Sequence, residues 1–238
     1  DVYKRQEYLN INNGQFTHYN KSTVPSLPSN QTWTVLDGGD NNLYIGHVGS
    51  GFSIFSLKDK SVKNFQNETG NPASLPGNDV FCIIKDTNGN IWLGTNNGLA
   101  LYNAANENFI TFRNNKNDKY ATLCSRILSI RQLKDNRLWI ASELNGIAIL
   151  NLKQGMFLSP EELSIEYIQE GDDSRSLSNA SARCIFQDSF DNVWIGTWGG
   201  GINFISSKPP LFTTLSYSPI PNNENSLNNK VASSLCMD

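Results

Sequence analysis

Histidine, paired cysteines and long apolar runs are nearly missing from this sequence, and each shortage closes off a class of function. No stretch reaches the roughly 20 consecutive apolar residues of a membrane-crossing helix, and no window shows the periodicity of a useful helix. His18 and His47 are the only two histidines, in unrelated sequence surroundings, so a catalytic triad or zinc site has little to draw on. Four cysteines stand at 82, 124, 184 and 236 without any C-x-x-C pair, which removes the usual metal and redox motifs. Nineteen Lys plus Arg against 22 Asp plus Glu leave a net charge of −3 with no basic stripe, an unpromising surface for nucleic acid.

The N-terminus lacks the three regions of a secretory signal. Its opening DVYKRQ reads as translated sequencing adaptor, so residues 1–6 are set aside and any upstream leader would be invisible. What remains is rich enough for a core. At 238 residues, 38% hydrophobic and 11% aromatic, the chain can form one large all-β domain or two ordinary ones.

Self-similarity organises the rest. Four segments align: NNLYIGHVGSGFSIF (41–55), GNIWLGTNNGLALY (89–102), NRLWIASELNGIAIL (136–150) and DNVWIGTWGGGINFI (191–205). Their aromatic anchors, Tyr44, Trp92, Trp139 and Trp194, are 48, 47 and 55 residues apart, the last interval lengthened by an insertion around 158–164. Gly46, Gly94 and Gly196 follow the anchors at two residues, and Gly51, Gly98, Gly146 and Gly201 at six or seven. Ser26-Leu27, Ser74-Leu75 and Ser176-Leu177 each precede their anchor by 18 residues, with Thr122-Leu123 one residue closer in the third copy. A further Ser226-Leu227 suggests that another copy starts near the C-terminus.

Within a copy the pattern has period two, as in VFCIIKD, NIWLGT, GLALYN and NFITFR, with turn residues between. Each copy is therefore expected to be a four-stranded antiparallel meander, and sheets recurring near every 50 residues stack into a β-propeller. The expected blades cover about 32–66, 80–113, 126–169 and 182–217, with partial blades at 8–20 and 229–238, together a partial propeller over 7–238. The anchors should fill the gap between blades, and the glycines should admit a neighbouring backbone or a positive φ in the turn at 199–201. Cys82 and Cys184 each stand ten residues before an anchor. They read as buried free thiols in one strand position, or else as a disulfide between units.

D-x-x-G-N-I-W-L-G-T-x-x-G-L at 86–99 and ARCIFQDSFDNVWIGTWGGGINF at 182–204 resemble the two-component regulator propeller repeat. Tyr44 for tryptophan, Ala141 for glycine and the missing counterpart of Asp86 and Asp188 in the third copy depart from that pattern. The resemblance implies the periplasmic sensor region of a bacterial hybrid two-component histidine kinase, working as a homodimer. It also implies an oligosaccharide ligand controlling polysaccharide-utilisation genes, with membrane attachment only through downstream segments. A propeller enzyme such as a lyase and a protein-binding propeller are the alternatives.

No cofactor or metal is expected. The run GTWGGG lacks the lysine and hydroxyl of a phosphate loop, and DTNGN is followed by Asn97 where a calcium loop requires Glu. Recognition should instead lie where the copies differ. Four residues after the anchors come Val48, Asn96, Glu143 and Trp198, in a loop sharing one end of the ring with the approach to the first strand. Trp198 is the leading candidate, because an indole stacks on the apolar face of a pyranose; an aromatic packed between loops is the competing reading. Asn96, Asn97, Glu143, Arg126, Arg183 and His47 complete the set, and either arginine reads equally as a strand-end surface charge.

Overall fold

The computed structural model describes residues 6–23, 26–112, 120–152, 164–173 and 175–208. Most of the adaptor-like hexapeptide, the insertion at 158–163, the end of the fourth expected blade, Ser226-Leu227 and the partial blade at 229–238 lie outside them. A hairpin of β1 (Gln6–Asn10) and β2 (Gln15–Tyr19) comes first. Blade one holds β3 (Thr32–Gly39), β4 (Asn42–His47), β5 (Phe52–Ser56) and β6 (Val62–Phe65). Blade two holds β7 (Val80–Lys85), β8 (Ile91–Thr95), β9 (Gly98–Asn103) and β10 (Asn108–Thr111). Blade three holds β11 (Ile127–Gln132), β12 (Arg137–Ser142), β13 (Ile147–Asn151) and β14 (Ile165–Ile168). Blade four shows β15 (Ala182–Gln187), β16 (Val193–Thr197) and β17 (Ile202–Ile205). Every sheet is an antiparallel meander in chain order, and the first strands β3, β7, β11 and β15 neighbour one another in succession. The chain is thus an all-β propeller fragment.

Burial explains the hydrophobic patterning. In β8, β9, β12 and β13 nearly every residue is buried, because each sheet has a neighbour on both faces. The anchors sit in those gaps. Tyr44 packs on the cluster of Phe52, Leu75, Val80, Ile83 and Leu93 between blades one and two. Trp92 lies with Leu123, Ile127 and Ile140 between two and three, and Trp139 with Leu177, Ala182, Ile185 and Ile195 between three and four. The leucine of each Ser-Leu or Thr-Leu pair, Leu27, Leu75, Leu123 and Leu177, is almost wholly buried and plugs an interface. Trp194 departs from the expectation: it is 39% exposed and rests on Phe204 at 4.6 Å, since no described strand covers that face.

A missing side chain sets the spacing of the blades. A Cβ on Gly46 would stand 2.8 Å from the Val80 carbonyl oxygen, and one on Gly94 would stand 3.0 Å from that of Ile127, both in the next blade. Where Ala141 replaces the glycine, the facing residue shrinks to Ala182, and both alanines lie in one buried cluster. Opposite Gly46, Gly94, Ala141 and Gly196 alike, the first strand is bulged. Register shifts between Thr32 and Thr34, Val80 and Cys82, Ile127 and Ser129, and Ala182 and Cys184 leave Trp33, Phe81, Leu128 and Arg183 unpaired in the ladder. Cys82 and Cys184 thus do share one position, facing Gly94 and Gly196, and both are free thiols. Cys82 packs against blade three and burial pushes its thiol up to about 12, whereas Cys184 is exposed for the same reason as Trp194. In the glycine run, Gly199 and Gly201 have φ of +88° and +75°. Gly200 has no positive φ; a Cβ there would lie 2.7 Å from the Ser178 hydroxyl and 2.8 Å from that of Thr197.

Turn carboxylates tie the anchors down. Asp86 accepts the backbone N–H of Asn88 and Asn90 on one oxygen, and Asn90 Nδ2 and Trp92 Nε1 on the other, all at 2.9 Å. Asp188 repeats the set with Phe190, Asn192 and Trp194, and the bond from Trp194 heads the causes that hold its carboxyl below the usual range. The third copy has Leu133 at that position, and Trp139 Nε1 is buried without a partner among the described residues. Tyr44 needs the matching space instead: a Cβ on Gly38 would lie 2.8 Å from its ring.

His47, expected at a ligand surface, is fully buried and cannot meet a solute there. It occupies the place taken by Thr95, Ser142 and Thr197 in the other copies. Those hydroxyls donate to the carbonyls of Gly98, Gly146 and Gly201, while His47 Nε2 lies 2.9 Å from the Ser53 hydroxyl. Burial lowers its pKa to about 4.

Three predictions follow from this packing. Trp92→Phe removes one of the four N–H donors to the Asp86 carboxylate and should cost more stability than Trp139→Phe by about 1.5–3 kcal/mol in urea unfolding, the usual weight of a bond to a charged group. Ala182→Val should overpack the third interface by about 1–3 kcal/mol, with Ala141→Gly restoring much of it in a double-mutant cycle. Because His47 stays neutral in the fold, the unfolded chain takes up its proton first, and stability should fall as pH drops from about 6.5 toward about 4. His47→Thr should flatten unfolding midpoints across that window.

Candidate ligand-recognition site at the loop end

Four equivalent backbone bonds build this end of the blades. Val48, Asn96, Glu143 and Trp198 donate their N–H groups to the carbonyls of Gln31, Asp79, Arg126 and Ser181, at 2.9–3.0 Å. The loop after each second strand is thereby fastened to the approach of the first. Since the bulge begins two residues later, the unpaired side chains of Trp33 and Arg183 emerge beside these loops, while Phe81 at the same offset is buried beneath Trp33 and Arg126.

The result is a belt running from blade one to blade four. Trp33, 51% exposed, meets the edge of Phe81 at 5.5 Å. The Arg126 guanidinium lies over Phe81 at 4.6 Å and contacts Glu143 Oε2 through Nη1 at 3.2 Å. Glu143 Oε1 takes Arg183 Nη2 at 3.0 Å, and the Arg183 guanidinium lies over the Trp198 ring at 4.7 Å. Trp198 remains 69% exposed. Leu144, at the tip of the same loop in blade three, is also exposed.

Sequence reasoning named Arg126, Glu143, Arg183 and Trp198, and the structure brings those four together. Asn96 and Asn97 stay outside the belt. Asn96 Oδ1 accepts the Asp79 N–H at 3.1 Å and Asn97 Nδ2 donates to the Pro76 carbonyl at 3.0 Å, so both amides brace their own blade. Trp33 and Phe81 were missed. Each stands 11 residues before its anchor, the same offset as Arg183, so the repeat register contained the signal.

Chemically the belt offers aromatic faces, guanidinium donors and one carboxylate. That mixture suits a hydroxylated ring with an apolar face. Among the described residues no group of three or more His, Cys, Asp or Glu is placed to hold a metal ion, and no helix is long and apolar enough to cross a membrane.

Comparison with known proteins agrees with the repeat. The two-component regulator propeller model matches residues 74–97 and 176–199. The extracellular domain of the hybrid two-component system BT3049 of B. thetaiotaomicron is 58% identical, with a TM-score of 0.73. That match takes in 99% of this chain but 28% of the other. The extracellular domain of the one component system BT4673 of the same organism is 18% identical over 84% of this chain and 24% of its own, with a TM-score of 0.62, and so shares the fold. Histidine kinase P4 of Formosa agariphila is 33% identical over 92 residues, which are 37% of this chain and 7% of that protein. The chain thus spans less than a third of the first of these structures and a small part of the kinase.

Proposed function

We propose that this chain, whose recurring unit is the two-component regulator propeller repeat, is part of the ligand-sensing ectodomain of a hybrid two-component histidine kinase. It lies in the periplasm, binds an oligosaccharide at the loop-end belt, and passes the change to the kinase through propeller and dimer geometry. Genes for polysaccharide utilisation are the regulated output. The likeness to the extracellular domain of a hybrid two-component system supports the sensor part of this reading.

One observation carries the sugar part. Trp198 is a solvent-exposed indole with an ion-paired guanidinium fixed over it, so a flat apolar surface and oriented hydrogen-bond donors stand side by side. The lyase alternative needs convergent histidine or carboxylate groups near the ligand, and burial takes His47 out of that set.

Calorimetric titration of the intact ectodomain with a broad panel of glycans should give heat with at least one. Trp198→Ala should weaken that binding about tenfold or more, the loss of roughly 1.4 kcal/mol. Silence across the panel would transfer the belt to a protein partner.

A further inference from the structure

We infer that the belt selects a glycan bearing an anionic group, a uronate carboxylate or a sulfate ester, and that Glu143 acts as its built-in stand-in. This rests on the oligosaccharide reading above. The carboxylate of Glu143 is shared between the two arginines. Its two oxygens are divided between two blades: Oε2 faces Arg126 Nη1 at 3.2 Å and Oε1 faces Arg183 Nη2 at 3.0 Å. Two guanidiniums therefore have one carboxylate between them, each held at a single point.

A guanidinium is made for more. It carries five N–H donors in a planar fork that matches a carboxylate or sulfate through two parallel bonds. Nε and Nη2 share one edge of that fork. In Arg183 this edge is half used, because Glu143 takes Nη2 while Nε is buried without a partner among the described residues. Nε is sealed from solvent, so an arriving oxyanion competes with Glu143 for Nη2.

The arginines are also fixed in advance. Phe81 lies under Arg126 at 4.6 Å and Trp198 under Arg183 at 4.7 Å, so both guanidiniums are positioned before a ligand arrives. Asp79, the nearest carboxylate in sequence to Phe81, accepts the N–H of Gly49 at 2.6 Å and is engaged on the side of blade one. An anionic sugar can thus take Nη2 of Arg183 from Glu143 and leave that carboxylate to Arg126, so that two guanidiniums meet two anions.

Two pairs of probes test this on the intact ectodomain: oligogalacturonides with their carboxyl-reduced counterparts, and sulfated glycosaminoglycan oligosaccharides with their desulfated counterparts. At least one anionic member should bind tenfold or more tighter than its uncharged partner, with affinity falling as salt rises. The pair that shows the difference identifies carboxylate or sulfate. Arg183→Gln removes the second cation, and should abolish most of that preference. Glu143→Gln should tighten anionic binding several-fold by removing the internal competitor, an effect that misfolding cannot imitate. Equal binding of charged and uncharged partners, or weakened anionic binding in Glu143→Gln, overturns the inference while the sugar reading stands. No binding by any glycan, charged or not, overturns both.

Discussion

The distance of closest approach between neighbouring sheets governs this molecule. Gly46 and Gly94 leave the second strand without a side chain at the point where the next blade's first strand presents Val80 or Ile127. Everything else in the interface is sized to the gap that remains. An indole or phenol fills it from one side and a leucine of the Ser-Leu pair closes it near the loop. The third interface shows that the total volume matters more than the particular residue, since Ala141 is met by Ala182. Polar latches add direction at the far turns: Gln132 binds both the N–H and the hydroxyl of Thr87, and Gln187 accepts the Lys134 N–H.

Much of this architecture is legible in the amino-acid sequence. Anchors 48 and 47 residues apart, with a Ser-Leu pair 18 residues upstream, specify a tandem unit, and period-two patterning specifies its strands. The departures were visible but not their remedies. A leucine at 133 announces that Trp139 lacks its acceptor, yet only packing shows that the buried N–H is left unpaired. His47 misled because a histidine beside a variable loop looks functional. Its place in the alignment, level with Thr95 and Ser142, was the better guide to a buried bond with Ser53. Likewise the exposure of Trp194 and Cys184 depends on what covers blade four, which no local pattern encodes.

The candidate site was half readable. Diversity at the position four after each anchor pointed to Glu143 and Trp198, and Arg126 and Arg183 came from the facing approach to the first strand. Their mutual contacts were hidden, because the salt bridge from Arg183 to Glu143 joins residues 40 apart on different blades. Phe81 and Trp33 read as ordinary strand residues until the bulge is seen to release them. Contacts in the belt repeatedly step back to the preceding blade: Phe81 to Trp33, Arg126 to Phe81, Arg183 to Glu143. A ligand held there touches the relative placement of adjacent sheets as well as their surfaces.

The bulge has a consequence for how such a surface diversifies. A residue excluded from the ladder contributes no cross-strand partner, so Trp33, Phe81, Leu128 and Arg183 differ while their flanking pairs stay in register. Specificity is thereby uncoupled from foldability. Each blade can exchange its specificity letter alone, and a tandem array becomes a row of independently editable characters on an unchanging page.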